Sequence, residues 1–313
     1  MPPLPPGLHF LERGWFSANH VLLTGGEGPA LVDTGHFRDL EATEAALRSA
    51  GVHPEELQVI VNTHCHADHW GGDRHLLERS GADFACGEDT ADLFTRRDLR
   101  AMWLDYFGGE GRYYDLDQLP PKIHRTFTPG ETVELGAFRF EVLAAPGHAP
   151  DSIALFEREH AVLISADALM EGDCGVLNVA VHGEGVVEQA LDTVARFRGL
   201  GATVALPGHG PPIADVDGSL DALERRLLEF QRRPDKLARH LVARCIVTSL
   251  MAMQPMARGP VLDALAAGQW ARDYAPRLGF EPGALVSRTL AELEGRGVVG
   301  EDADGLLVAH VRR

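Results

Sequence analysis

An α/β fold, a sandwich built from two αβ units and followed by a mostly helical C-terminal segment, is what this chain of 313 residues predicts. Three observations predict it. Short strand-like apolar runs alternate with amphipathic stretches of helix length, the alternation occurs twice in similar order, and from Ser219 onward helical periodicity takes over.

The first half opens with strand signals at 21–24 and 30–32, separated by the turn-rich Gly25-Gly26-Glu27-Gly28-Pro29, a hairpin pattern. A helix fits 40–50 and is closed by Gly51. An apolar strand starts at Val59, and Gly71-Gly72-Asp73 leads into a helix through Leu76 and Leu77. The second half begins near Thr132, with strands around Val133, 138–143, 153–156 and 162–164, a helix at 185–197 and a strand at 203–206. Between the halves, residues 88–127 form a segment that the sandwich does not require. It is rich in rings: Phe94, Trp103, Tyr106, Phe107, Tyr113 and Tyr114 fall in a helical stretch and a Gly-Gly-Glu-Gly loop. That composition suits a lid or pocket wall, and equally the packing of an insertion onto the sandwich. Trp103 or Tyr106 is expected to border the active cleft.

The chemistry is concentrated where the strand from Val59 ends. His64, Cys65, His66, Ala67, Asp68 and His69 place three imidazoles and a carboxylate within six positions, the donors that zinc accepts and that iron or manganese share with less selectivity. Residues two apart in an extended segment point the same way, so His64 and His66 suit one ion, and Asp68 and His69, beyond a turn, a second. Further donors stand after other strand-like runs: His148 in Ala145-Pro146-Gly147-His148, Asp167 after 161–166, and His209 in Leu206-Pro207-Gly208-His209-Gly210. Sheet edges hold such donors rigidly, as a metal site requires. Cys65, between two of them, should point the opposite way and play a structural part, and Cys174 reads as a small buried side chain. Thr63 and Ser152 are placed to orient imidazoles by hydrogen bonds.

These motifs, with Val32-Asp33-Thr34-Gly35 as an early strand and turn, resemble the metallo-β-lactamase superfamily over roughly two thirds of the chain. The resemblance implies a four-layer αβ/βα sandwich and two divalent metals. It places His64, His66 and His148 on the first, Asp68, His69 and His209 on the second, and Asp167 between them. Physical chemistry agrees: two such ions about 3.5 to 4 Å apart share a water and lower its pKa from 15.7 to about 7. The nucleophile is then a bridging hydroxide, with Asp68 the candidate to bind the second metal and orient the hydroxide's proton. Zinc is the first expectation, with iron or manganese as alternatives.

Composition narrows the setting. With 46 acidic against 29 basic residues the net charge is -17, which repels polyphosphates and gives no footing on an anionic membrane. No apolar run reaches transmembrane length, the N-terminus lacks the pattern of a secretory signal, and the four cysteines form no C-x-x-C pair, so a cytoplasmic protein with free thiols is expected.

The expected division is a catalytic domain over 1–218 and a helical domain over 219–313. Helical periodicity runs through 220–228, 237–251, 261–266 and 285–293, then a small hairpin covers 298–308. Helices followed by a hairpin resemble a winged-helix extension. The helix carrying Arg288 also carries Glu292 and Glu294, and the segment holds 14 basic and 12 acidic residues, which is not a nucleic-acid footprint. A packing or dimerisation module walling one side of the cleft is the favoured reading, a homodimer being the commonest assembly. Among the other histidines, His182 is the foremost candidate to meet substrate, and Asn19 and His20 are placed to reach the cleft; the rest are expected at the surface or behind the ligands.

The leading function is metal-dependent hydrolysis of a small ester, thioester or lactone by the bridging hydroxide. The alternatives are a metal-dependent endoribonuclease or phosphodiesterase, which the acidic charge disfavours, and a mononuclear iron persulfide dioxygenase, against which the intact His69 and His209 argue. Fold alone leaves the substrate open.

Overall fold

The computed structural model describes residues 3–106, 116–253 and 255–311. Phe107, Tyr113, Tyr114 and the loop Gly108-Gly109-Glu110-Gly111 lie outside them. The order of elements is β1 (Leu8–Leu11), β2 (His20–Leu23), β3 (Ala30–Val32), α1 (Leu40–Ser49), β4 (Val59–Asn62), α2 (Ala67–Trp70), α3 (Asp73–Ser80), β5 (Asp83–Gly87) and α4 (Glu88–Arg96). Then follow β6 (Arg125–Phe127), β7 (Thr132–Leu135), β8 (Phe138–Ala144), β9 (Ile153–Glu157), β10 (Val162–Ala166), α5 (Val179–His182), α6 (Val186–Arg198) and β11 (Val204–Pro207). The C-terminal region contains α7 (Val216–Arg232), α8 (Pro234–Met253), α9 (Arg258–Ala267), α10 (Gln269–Leu278), α11 (Pro282–Gly295), β12 (Val299–Glu301) and β13 (Leu307–Ala309).

Two mixed sheets carry the sandwich. The first has the order β1-β2-β3-β4-β5-β6 and the second β11-β10-β9-β8-β7. Strand parity explains why both faces of each sheet are apolar. Val21, Val32, Val61, Val142, Leu155 and Ile164 meet between the sheets. Their neighbours turn outward: Leu22, Leu31, Ile60 and Phe84 onto Leu47, Trp70, Leu76 and Phe94, and Phe156 and Leu163 onto Val194, Phe197, Leu223 and Leu227. The result is helix, sheet, sheet, helix, the four layers that the resemblance implied. Trp70 is fully buried in the first outer layer, where truncation to Ala would cost about 3 to 5 kcal/mol.

Six elements escaped the sequence, among them β5 and the single turns α2 and α5. β1 pairs only with β2, and β6 closes the first sheet against β5. The segment 88–127 is therefore not wholly an insertion, since it supplies that edge strand and α4, whose Phe94 packs on Trp70 and Phe84 rather than over a cleft. The helix α10 was also unread, because Pro276 lies inside it and Gly279 caps it at φ +76.

Helix α7 starts at Val216, where the Asp215 carboxylate accepts the Gly218 amide at 2.9 Å, and it lays Leu220, Leu223 and Leu227 on the second outer layer. Helices α8 to α11 and the hairpin β12–β13 form a further apolar core, into which Phe16, Trp103 and Tyr106 are drawn. Hydrogen bonds fix this region to the sandwich: Arg38 Nη1 donates to Ala252 O at 3.1 Å, Gln269 N to Tyr106 O at 3.0 Å, and Arg100 pairs with Asp273 at 2.5 Å. No helix among the described residues is long and apolar enough to cross a membrane.

Candidate metal centre

Strand ends deliver the donors. β4 runs into His64, His66, Asp68 and His69, the last two on the single turn α2. β10 runs into Asp167, β11 into His209, and the loop after β8 carries His148. The two sheets are tied at this edge by Ile153 N donating to Thr63 O at 2.9 Å and Asn19 N to Gly208 O at 2.7 Å. Three overlapping groups of donor atoms, each within 4.8 Å, result: His64, His66 and His148; His64, His69 and Asp167; and Asp68, His69 and His209. Asp167 lies between, with Oδ1 3.4 Å from His69 Nε2 and Oδ2 3.4 Å from His148 Nε2. Asp68 Oδ2 stands 3.2 Å from His209 Nε2.

The hydrogen bonds behind these side chains fix which nitrogen faces inward. Asp33 Oδ2 accepts His69 Nδ1–H at 2.7 Å and the Thr63 hydroxyl at 2.9 Å, while Oδ1 accepts the Thr63 amide at 2.9 Å. With its one proton given to Asp33, Thr63 Oγ1 accepts from His64 Nδ1 at 3.1 Å. His148 Nδ1 donates to Val176 O at 2.8 Å, leaving Nε2 as a lone pair that faces His66 Nδ1 at 2.8 Å. His64 Nε2, His66 Nε2, His69 Nε2 and Asp167 Oδ1 are buried with no hydrogen-bond partner. Such orphaned polar atoms are expensive when buried, and a divalent metal that displaces the proton on His69 Nε2 would satisfy the set. Thr63 thus orients His64 directly and His69 through Asp33, as its position suggested, whereas Ser152 bonds no imidazole among the described residues; Val176 O takes that part for His148.

Protonation is set the same way. Burial, then the charge of His69, holds His64 well below the ordinary histidine range, and burial with His148 does the same for His66. Both therefore offer neutral lone pairs. Burial works against the charged forms of Asp68 and Asp167, but His209 outweighs it for Asp68, and His209 with His69 for Asp167, so both stay ionised. His69 goes the other way: burial opposes its charge, but the Asp33 and Asp167 carboxylates hold it well above the ordinary value.

Backbone crowding locks the donors. A Cβ on Gly208 would lie 2.2 Å from Asp167 Oδ1, and one on Gly175 would lie 2.3 Å from His148 Cγ. Asp33, Trp103 and Ala166 take positive φ values of 58°, 60° and 46°, a concentration of strained backbone around the donors.

His66, Asp68, His148, Asp167 and His209 form the floor of a cavity of about 440 Å³, with His64 and His69 buried behind them. Trp103 lines it, its ring 4.4 Å from that of His66 and 5.5 Å from that of His148. Tyr106 does not: it is 0 % exposed and its hydroxyl donates to Asn178 Oδ1 at 3.2 Å, because Tyr274 meets the same oxygen from α10 and the pair is packed in the C-terminal core. His182 also stays behind the wall, where its Nε2 accepts the Trp103 indole N–H at 3.1 Å. Asn19 and His20 are buried too. Asn19 donates to Pro207 O and Gly210 O and so braces the His209 loop, while His20 Nε2 meets Thr43 Oγ1. Cys65 and Cys174 are buried in the apolar layers. The sequence reading missed Trp15, exposed at the mouth with its ring stacked 6.0 Å from His209, and it took Asp33 only as part of a turn. Asp33 follows the apolar run of β3 as the other donors follow theirs, a signal that was present.

Known proteins share this fold. A solved metallo-beta-lactamase family protein from Thermus thermophilus is 24 % identical, with a TM-score of 0.61 over 98 % of this chain and 100 % of its own. A beta-lactamase domain protein from Burkholderia ambifaria is 22 % identical, with a TM-score of 0.59 over 97 % of this chain and 92 % of its own. By sequence, the chain is 27 % identical to an acyl-coenzyme A thioesterase of Gallus gallus over 54 % of its length, spanning 65 % of that relative. It is 31 % identical to a hydroxyacylglutathione hydrolase of Rhodobacter capsulatus over 46 % of its length, spanning 44 % of that relative. The family profile of the metallo-beta-lactamase superfamily matches residues 13–209, from just before Trp15 to the last of the convergent histidines, and the chain belongs to that superfamily.

Proposed function

We propose that the chain is a metal-dependent thioester hydrolase with two divalent ions, zinc first among the candidates, held by His64, His66 and His148 and by Asp68, His69 and His209, with Asp167 shared. The observation that carries this reading is the convergence of these donors within 4.8 Å in overlapping groups at the base of one cavity, with buried atoms of His64, His66, His69, Asp167 and His209 left unpartnered. When bound, two such ions supply Lewis acidity and a water acidified to near neutral pH. The neutral imidazoles of His64 and His66 and the ionised Asp167 present the forms a cation requires. Asp68, whose side chain is 27 % exposed to the cavity side, is the residue placed to take and return a proton. The net reaction adds water across the carbonyl–sulfur bond: a C–O bond forms, the C–S bond breaks, and a proton reaches the departing thiolate.

Two relatives named for thioester hydrolysis support thioesters over lactones and plain esters. The helices and hairpin after α7 are read as a winged-helix-like module walling a catalytic domain that extends through α7, since Leu220, Leu223 and Leu227 belong to its outer layer and a boundary at residue 218 would divide that helix, and a small-molecule substrate fits the cavity.

The test is metal content per chain, with thiol release from acyl thioesters measured against p-nitrophenyl esters, lactones and bis-p-nitrophenyl phosphate. Two metals falling to about one in His69→Ala, with thioesters the best substrates, is the expected result. Preference for the phosphodiester would overturn the thioester assignment. One iron per chain, unaffected by His69→Ala, would overturn the dinuclear site. Full activity of Asp68→Asn with both metals retained would remove its proton role.

A further inference from the structure

The cavity wall opposite the donors changes character along α8. His240 and Arg244 face it at one end, then Val247 and Met251 further on. From His240 to Met251 is about 16 Å of helix, long enough to lie beside an extended substrate arm. Arg226, Arg244 and Arg296 line the same cavity as His240, and a groove sharing Arg226 and His240 continues outward past Arg225, Lys236 and Arg239.

These six cations face few anions. Away from the metal donors, the lining of cavity and groove contains two carboxylates, Asp173 and Glu229. Asp173 pairs with Arg226 at 2.7 Å and stands 3.6 Å from Arg244; Glu229 pairs with Lys236. Arg225, Arg239 and Arg296 form no ion pair among the described residues. In a chain of net charge -17 this is a local reversal of sign that composition does not supply. Arg244 also lies over Trp15, 5.8 Å from its ring, and Trp15 stacks on His209, so the cationic end is joined directly to the donors.

We propose that the substrate's thiol carrier bears phosphate groups, and that they are held by the arginines of α7 and α8 and by Arg296 while the thioester reaches the metal donors. This rests on the thioesterase reading above. Arginine forks suit phosphate oxygens, and a carrier holding several phosphates is what a wall with several unpaired cations selects. A nucleic-acid strand fits less well. It carries phosphates on both sides of the bond to be cut, whereas here the α8 cations Arg239 and Arg244 precede Val247 and Met251 along one helix.

The experiment compares butyryl-coenzyme A with the same acyl group on uncharged N-acetylcysteamine, at low and high salt, alongside calorimetry of desulfo-coenzyme A. Arg239→Gln with Arg296→Gln is the principal variant, and Arg239→Lys with Arg296→Lys keeps the charge. The expected result is a lower KM on the phosphorylated carrier that rises with salt. The Gln pair should weaken desulfo-coenzyme A binding by about tenfold or more and the Lys pair recover most of it. Equal, salt-independent KM values on the two carriers would overturn the proposal while leaving thioester hydrolysis intact. Cleavage of neither thioester would sink the thioesterase reading, and calorimetry would still decide the binding site: no arginine-dependent binding of desulfo-coenzyme A overturns it. Tighter binding of a single-stranded oligonucleotide than of desulfo-coenzyme A would also overturn it.

Discussion

Removing the Asp33 carboxylate separates stability from metal affinity. Asp33 is buried and accepts three hydrogen bonds, from Thr63 N, Thr63 Oγ1 and His69 Nδ1. Thr63 and His69 are both 0 % exposed, so Asp33→Ala strands three buried donors. At about 1 to 3 kcal/mol for each, less what a water entering the void restores, the loss is about 3 to 5 kcal/mol. Asp33→Asn is the sharper probe. Asn tolerates the φ of +58° and keeps the volume, but its amide group must face either the Thr63 amide or His69 Nδ1–H. Relief comes only if His69 gives up its Nδ1 proton and keeps one on Nε2, the atom aimed at Asp167. Asp33→Asn should therefore unfold within a few degrees of the wild type in chelator, yet bind metal at the group of Asp68, His69 and His209 about 10- to 100-fold more weakly. Thermal unfolding in excess chelator and a competition titration with a chromophoric chelator read the two effects apart. Wild-type affinity for both metals in Asp33→Asn would refute the tautomer argument.

Two further expectations follow from local geometry. Gly208→Ala drives a methyl to 2.2 Å from Asp167 Oδ1 and 2.8 Å from His69 Cε1, so plasma mass spectrometry should find less metal per chain than in the wild type and activity should fall about 100-fold; unchanged stoichiometry would contradict the crowding argument. Glu44, held by His75 first and then by Arg79 and Arg48, has its pKa lowered from 4.5 to about 2. A depressed carboxylate stabilises the fold fully above pH 4.5 and loses that contribution as pH falls through 2. Glu44→Gln should thus be less stable at neutral pH, by about 1 kcal/mol for this partly solvated network, with the gap closing over that acid range. A gap that stays constant down to pH 2 in urea unfolding would refute it.

Most of the site was legible because its donors are dense and each follows an apolar run. His64, His66, His148, Asp167 and His209 needed no tertiary information beyond the rule that strand ends gather at sheet edges. What stayed hidden depends on contacts distant in sequence. Trp15 gains its place by stacking on His209, and Tyr106 loses the cleft because Asn178 and Tyr274 draw its hydroxyl inward. Strands β1 and β6 are short edges whose side chains are half exposed, so periodicity within them is weak, and pairing with β2 and β5 decides them. The cationic wall was invisible to a charge count, because the C-terminal arginines are nearly balanced by carboxylates that face elsewhere, Glu292 on Arg288 and Glu294 on Arg258.

The floor of the cavity and its roof come from separate stretches of chain. Residues 64–209 supply the donors, and α8 with the end of α11 supplies the facing wall, joined to the sandwich through Arg38, Arg100 and the Tyr106 carbonyl. Chemistry and substrate choice can consequently evolve at different speeds. A substitution at Val247, Thr248 or Met251 reshapes what enters without moving a donor atom, whereas any change at the strand ends alters the reaction itself.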